Sequence, residues 1–440
     1  MKFFGRQDET AELLRIRALS HENARFTVVT GRRRVGKTEL LKKALADGKD
    51  LFLYLLITRQ SERTLCEILQ REVEAVGIPV LGQAQRFIDL MKVVFTAAES
   101  RNITLVLDEF QEFDRINPSV FGELQGLWDS HQHTAKLNLL VCGSVNRLMN
   151  KIFFHKAEPL YGRNTGHIKL APFGTSLLKS ILKSEAKRFS PDDLWALWTI
   201  TGGVARYVRL LMDEHAYTRN AMIDAVLSPS SSFVDEGKII LAEEFGAEYG
   251  TFFSILSEIA SGKNTFAELS NAIGSDVGTY LARLESDYGI ISRITPVFDK
   301  ERSRNTHYTI EDCFLRFWFR FIFKYRNWIE LGRISSLKTL IRRDFNAFAG
   351  FSLERYFRQK LSEESSYTRI GGWWDRKGEN EIDLVCEDEL ADAVDIFEVK
   401  ADAARISLPL LRERCTAFLA KNKSLKDKIR TVAGLSLKDM

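Results

Sequence analysis

Two sets of residues in this 440-residue chain have the types and spacing for chemistry on phosphates. The first is Gly31-Arg32-Arg33-Arg34-Val35-Gly36-Lys37-Thr38, which fits GxxxxGK followed by Ser or Thr. It lies between the strand-like Phe26–Thr30 and a helical pattern beginning ELLKKAL. Gly31 and Gly36 let the backbone turn tightly around an anion. The N–H groups of Arg32 to Val35 and the helix N-terminus then face the phosphates of ATP. Lys37 supplies a point charge for the β- and γ-phosphates, and the Thr38 hydroxyl suits Mg²⁺. Asp108 and Glu109 end the apolar run ITLVL. A carboxylate there can hold Mg²⁺ through water, and the next can polarise the attacking water, so Asp108 is assigned to the metal and Glu109 to the water. Ser144 ends a further apolar run, either as a sensor of the γ-phosphate or as an ordinary turn serine.

The second set lies near the C-terminal end. Asp383 sits in EIDLV, and Glu398 and Lys400 flank Val399 in IFEVK. Strand alternation puts Glu398 and Lys400 on one face, and a hairpin would bring Asp383 beside them. Carboxylate oxygens suit Mg²⁺, which polarises a phosphodiester and helps generate hydroxide. Lys400 can position that water or stabilise developing charge. Glu354, on the preceding helical pattern, adds a further carboxylate as a metal ligand beside Asp383 and Glu398. His131-x-His133 has no cysteine nearby and reads as a solvated loop rather than a zinc site.

The elements that must position these groups follow from periodicity. Phe26–Thr30, Leu51–Ile57, Ile103–Phe110 and Leu137–Ser144 are continuous apolar runs separated by helical patterns, as in a parallel sheet buried on both faces. Ser176 to about Leu227 reads as helical, broken at Thr201-Gly202-Gly203. From Tyr249, three short helices precede ISRITPVFD and HYTIED, the pattern of a winged helix-turn-helix with a charged tip at Asp299, Lys300, Glu301, Arg302 and Arg304. Its third helix carries Asp276, Glu285 and Asp287 against Arg283. That surface repels phosphate, so either the wing makes a DNA contact or the module serves regulation. Between Arg320 and Arg343, seven basic residues face one acid, Glu330, and alternate with Phe321, Phe323, Tyr325 and Trp328. This pattern fits a nucleic-acid surface or a core helix with a solvated basic face.

Phe4-Gly5-Arg6, the loop GRRRVGKT, the strand VLDEF, Pro159-Leu160-Tyr161-Gly162-Arg163 and Ala171-Pro172-Phe173 together resemble the archaeal-type AAA+/STAND ATPase family over the first two-thirds of the chain. The resemblance implies that Arg6 lies near the adenine and that Arg163 stabilises the γ-phosphate as an arginine finger. That family carries a Gly-x-Pro motif near the lid; here the segment is Gly203-Val204-Ala205. Trp373, Trp374 and Asp375, followed by Asp383, Glu398 and Lys400, resemble the PD-(D/E)xK nuclease superfamily. They are also similar to the domain of unknown function found C-terminal to such ATPases.

The implied fold is α/β: an AAA+-type P-loop core (1–175), a helical lid (176–245), a winged helix (246–312), a basic-aromatic connector (313–345) and a restriction-endonuclease-like domain (346–440). Hydrophobic content of 45% and charged content of 28% describe a globular chain rather than a disordered one. No apolar run reaches the roughly 18 residues needed to cross a bilayer. The start of the chain lacks a signal-peptide pattern, and five scattered cysteines suggest a reducing cytoplasmic setting. The expected partners are ATP, Mg²⁺ and nucleic acid (DNA before RNA), without a membrane and with a homo-oligomer allowed. Two functions follow. One is an ATPase coupled to a metal-dependent nuclease; the other is a STAND-like regulatory ATP switch with an inert C-terminal binding domain.

Overall fold

The computed structural model describes residues 3–143, 146–299 and 305–440, and the chain divides into Phe4–Ala171 and a second unit from Pro172 to Met440. Five parallel strands form the sheet of the first unit: Arg25–Gly31 (β1), Leu51–Leu56 (β2), Ile103–Asp108 (β3), Leu137–Cys142 (β4) and Gly166–Leu170 (β5). Their order is β2-β3-β4-β1-β5. Helices on both faces explain why β3 and β4 are buried along their whole length and read as unbroken apolar runs. The core sits where Phe26 of β1 meets Trp128 and Phe153, with ring centroids 5.2 and 5.7 Å away. β5 was not expected from the sequence. It is a five-residue edge strand of alternating exposure, paired in parallel with β1 from Thr27 to Gly31.

In the second unit, helices Thr175–Glu185, Pro191–Thr201, Ala205–Asp213, Arg219–Val226 and Phe233–Phe245 come first. Pro191–Thr201 starts with a capping box between Ser190 and Asp193 and a proline in its first turn. Its indole groups then bond the backbone of a 31-residue helix, Ile334–Glu364: Trp195 donates to the Ala349 carbonyl at 3.2 Å and Trp198 to that of Ser352 at 2.9 Å. Gly202 and Gly203 end Pro191–Thr201 with left-handed backbones. The Gly203 carbonyl accepts from the Phe173 N–H at 2.7 Å, and a Cβ on Gly203 would lie 2.1 Å from the Phe173 oxygen. This segment thus packs backbone to backbone, where only glycine fits.

Helices Tyr249–Ala260, Phe266–Ile273 and Gly278–Ser286 precede an antiparallel hairpin of Ile291–Ile294 (β6) and His307–Ile310 (β7). Lys300, Glu301, Arg302 and Arg304 lie outside the described residues. The basic-aromatic stretch begins with Cys313–Phe317 and a π-helical turn, Trp318–Phe323. Phe321 is buried, and Phe323 packs on Phe253 and Trp318. Four of its seven cations pair with acids, Arg320 and Arg343 with Asp344 and Lys338 and Arg342 with Asp224, while Lys324 and Arg326 lie over the Tyr325 and Phe323 rings. The solvated-face reading of this stretch therefore describes it better than a nucleic-acid surface.

The chain ends in a four-stranded sheet, order β11-β10-β9-β8, from Arg369–Trp374 (β8), Glu381–Asp388 (β9), Ala393–Val399 (β10) and Ile429–Leu435 (β11). β8, β9 and β10 are antiparallel neighbours. Helix Leu408–Lys421 returns the chain so that β11 joins β10 in parallel. Trp373 anchors this sheet, buried against Phe418, while Trp374 stacks on His307 and donates to Asn305. The helix Ile334–Glu364 runs unbroken through the expected junction at 345/346. Among the described residues no helix is long and apolar enough to cross a membrane.

Candidate functional site

The loop between β1 and helix Lys37–Leu45 curls over the carboxyl end of the sheet. Gly31 holds φ at +151°, and a Cβ there would come within 2.6 Å of the Leu170 oxygen, so the turn requires glycine. Gly36 is left-handed, as is Arg34. The Lys37 ammonium folds back onto the carbonyls of Gly31 and Arg32, at 2.7 and 3.2 Å, and burial lowers its pKa. An ammonium held by neutral carbonyls in a buried loop gains most from an anion, which makes the loop a fitting cradle for phosphates. Arg6 closes the loop from behind. Its guanidinium donates to the carbonyls of Val35 and Ala171 and pairs with Glu9.

Asp108 meets Thr38 although β4 separates their strands: the Thr38 hydroxyl donates to Asp108 Oδ2 at 2.8 Å. Tyr54 of β2 also donates to Oδ2, while the Cys142 thiol and the Glu109 N–H donate to Oδ1 at 2.7 and 2.9 Å. Burial pushes both the Tyr54 phenol and the Cys142 thiol up, so both stay protonated donors. A hydroxyl beside a carboxylate is the hard-oxygen set that Mg²⁺ prefers. Glu109 has a left-handed backbone, and its carboxylate accepts from the amide of buried Gln111. Tyr54, Cys142 and Gln111 carried no motif by which the sequence could single them out. Ser144 lies outside the described residues.

Arg163 sits elsewhere. Thr165, two residues on, donates to the Phe26 carbonyl at the start of β1, and Arg163 itself pairs with Asp129 at 3.2 Å. Gly31 is five residues further along β1, roughly 16 Å at the rise of a parallel strand. Arg163 is thus held near the start of β1, at the end of that strand away from Gly31.

At the C-terminal sheet, the backbone ladder between β9 and β10 ends at the pair Phe397 and Leu384. Beyond it the Asp383 carboxylate accepts from the Val399 N–H at 2.7 Å and from Lys400 Nζ at 3.1 Å. Lys400 also stands 3.5 Å from Glu398, as strand alternation requires. Glu398 is 4% exposed and takes further donors from the Ser407 N–H and Arg414. Burial alone would lower Lys400, but the Asp383 charge, with Glu398, holds it above the usual lysine value. Glu354 faces this group from the long helix. Burial first, then the Asp383 and Glu381 charges, push its carboxyl up to about 8, so it is neutral at pH 7. Among the described residues no three His, Cys, Asp or Glu side chains converge closely enough to hold a metal ion. The expected trio of Glu354, Asp383 and Glu398 is thus not gathered as a cage: Lys400 stands between the last two. Two carboxylate donors are still what Mg²⁺ commonly takes from a protein. Arg414, on the next helix, escaped the sequence reading because nothing local marks it.

Residues 3–211 match a family described as an ATPase domain predominantly from Archaea, and residues 318–408 match a family described as archaeal and bacterial proteins of unknown function. An uncharacterized protein of Methanocaldococcus jannaschii is 29% identical over 393 residues, covering 87% of this chain and 84% of that protein. The Walker-type ATPase PABY2304 of Pyrococcus abyssi superposes with a TM-score of 0.55 at 18% identity, covering 72% of this chain and 96% of its own. The ORC2 protein of Aeropyrum pernix, solved in ADPNP-ADP complexes, gives 0.50 at 15% identity, covering 76% and 96%. The chain is thus similar to archaeal-type ATPases over residues 3–211 and to archaeal and bacterial proteins of unknown function over residues 318–408.

Proposed function

We propose that this protein binds and hydrolyses ATP at Gly31–Thr38 and couples the nucleotide state to a metal-dependent phosphodiesterase site at Asp383, Glu398 and Lys400 that acts on nucleic acid. The observation that carries the second half is the Lys400 ammonium standing between buried Glu398 and partly buried Asp383 at the end of an antiparallel pair, with neutral Glu354 behind. At the loop, Lys37 leaves its carbonyls for the β- and γ-phosphates, Thr38 and Asp108 hold Mg²⁺, and Glu109 orients the attacking water. Arg6 fastens the loop and lies near the adenine. Arg163 serves a neighbouring copy, because its own loop is out of reach. At the distal site Asp383 and Glu398 hold Mg²⁺, which when bound polarises the phosphodiester. Lys400 orients water and balances charge on the phosphate oxygens. In this reading residues 176–245 form a lid, 246–312 a winged helix, 313–345 a connector and 346–440 a nuclease-like domain.

One observation favours a second reading, a regulatory ATP switch whose C-terminal domain only binds. The sole basic side chain of helix Gly278–Ser286, Arg283, is clamped by both oxygens of Glu248, so that helix offers phosphate nothing. Nuclease assays on plasmid and single-stranded DNA and RNA, with Mg²⁺ or Mn²⁺ and with or without ATP, separate the two. The phosphodiesterase reading expects cleavage that is lost in Asp383→Ala/Lys400→Ala and survives Lys37→Ala. No cleavage under any condition, with ATP binding intact, leaves the switch.

A further inference from the structure

A cleft of about 1240 Å³ opens within the second unit. One wall is the β6–β7 hairpin with Thr295–Asp299. The other is a stripe of the helix Ile334–Glu364 at helical spacing: Phe351, Glu354, Arg355, Arg358 and Ser362. Its floor includes β8, β9 and Asp383. The volume exceeds the ~300–1,000 Å³ typical of small-molecule pockets.

Six arginines line it: Arg293, Arg316, Arg320, Arg355, Arg358 and Arg369. Three are taken by acids, Arg355 by Glu311, Arg320 by Asp344 and Arg369 by Glu387. Two are not. Among the described residues neither Arg316 nor Arg358 has an ion pair or a side-chain hydrogen bond, and Arg316 Nη1 is buried with no partner. Arg316 lies over the Phe351 ring at 4.1 Å. Desolvation lowers the pKa of both guanidinium groups, that of Arg316 to about 10, and both stay charged; Arg316 is recessed, whereas Arg358 is open to solvent at the cleft. Besides Glu311 and Glu354, the acids on the wall are Asp299, Glu381 and Asp383.

We propose that this cleft holds the phosphodiester backbone of a single nucleic-acid strand, with Arg316 and Arg358 as its phosphate contacts and Asp383 at the end where a phosphate would be delivered. The inference rests on the nucleic-acid reading of the Asp383, Glu398 and Lys400 site and names how substrate reaches it. A single strand fits better than a duplex because Arg316 is recessed: a strand can thread to it, whereas a paired backbone would stay at the rim. The absence of a free cation on helix Gly278–Ser286 also moves the expected contact to this side of the hairpin.

Fluorescence anisotropy in EDTA, with labelled oligothymidylate, oligouridylate and a blunt duplex of equal length, tests this without cleavage. Both single strands should bind, and oligothymidylate against oligouridylate tells DNA from RNA. Arg316→Gln/Arg358→Gln should weaken binding at least about tenfold and make the log–log salt slope shallower by about 1.4, at ~0.7 per lost phosphate contact. Arg358→Gln alone, at an exposed site, should lose about half of that slope and guards against misfolding of the double variant. Failure of the full-length protein to bind either strand overturns the proposal. So does an unchanged affinity and slope in Arg358→Gln, or a duplex that competes as well as the single strand. If binding behaves as expected but no condition gives cleavage, the cleft stands and the phosphodiesterase reading falls. If cleavage occurs and the arginine variants bind and cut unchanged, the reverse holds.

Discussion

Replacing Glu354 by glutamine should stabilise this protein at alkaline pH and change it little in acid. The Glu354 carboxyl is held at about 8, against an ordinary value of 4.5. Between those values an unfolded chain releases the proton that the folded chain keeps. Folded stability therefore falls as pH rises through that window; the penalty is absent below the lower value and complete above the upper one. A difference of 3.5 pH units at 1.36 kcal/mol each sets an upper bound of about 5 kcal/mol, which relaxation and water entry would reduce. Glutamine keeps the shape and stays neutral. Urea midpoints of the two proteins should thus agree within about 1 kcal/mol near about pH 5 and diverge by several kcal/mol near about pH 9, with the variant the more stable. Mg²⁺ held by Asp383 and Glu398 would favour the ionised Glu354 and shrink that divergence. An equal difference between the proteins at both pH values would refute the argument. It would mean that Glu354 ionises normally and does not face Asp383 in a desolvated setting.

Three further outcomes follow from named contacts. Arg163 lies at the opening edge of the sheet, paired with Asp129, so ATP turnover per molecule should rise with protein concentration and lose that rise in Arg163→Ala; a rate independent of concentration in both proteins would exclude action on a neighbour. Gly203→Ala imposes a side chain at φ +75° and 2.1 Å from the Phe173 oxygen, so its urea midpoint should report a loss of at least about 2 kcal/mol; a midpoint like that of the parent would mean the Phe173 contact is not made. All five cysteines are buried, and burial raises Cys66 and Cys386 to about 12 and Cys415 to about 11. A thiol reagent near neutral pH should therefore react slowly with the native chain and with five groups after unfolding; fast native reaction would place a thiol at the surface.

What could be read from the sequence was what is local. β3 and β4 are buried on both faces, so their residues are apolar without interruption; β5 and β11, at sheet edges and half exposed, carry no such run. The loop Gly31–Thr38 declares itself because its glycines and lysine act within eight consecutive residues. Asp383, Glu398 and Lys400 were legible for a related reason, since strand alternation and one hairpin bring them together. The partners that tune these groups are distant in sequence. Tyr54 and Cys142 reach Asp108 from other strands, and Arg414 reaches Glu398 from a later helix. The same distance explains the misleading basic stretch: Lys338 and Arg342 meet Asp224 more than a hundred residues away, so no short window along the chain contains both partners. Arg316 is the converse. It belongs to a segment that looks like a cation-rich surface, yet it is recessed and, unlike Arg320, Lys338, Arg342 and Arg343, finds no acid. A pattern of charge along a sequence therefore does not mark a binding surface by itself. What marks one here is a recessed cation that the fold leaves without an acid.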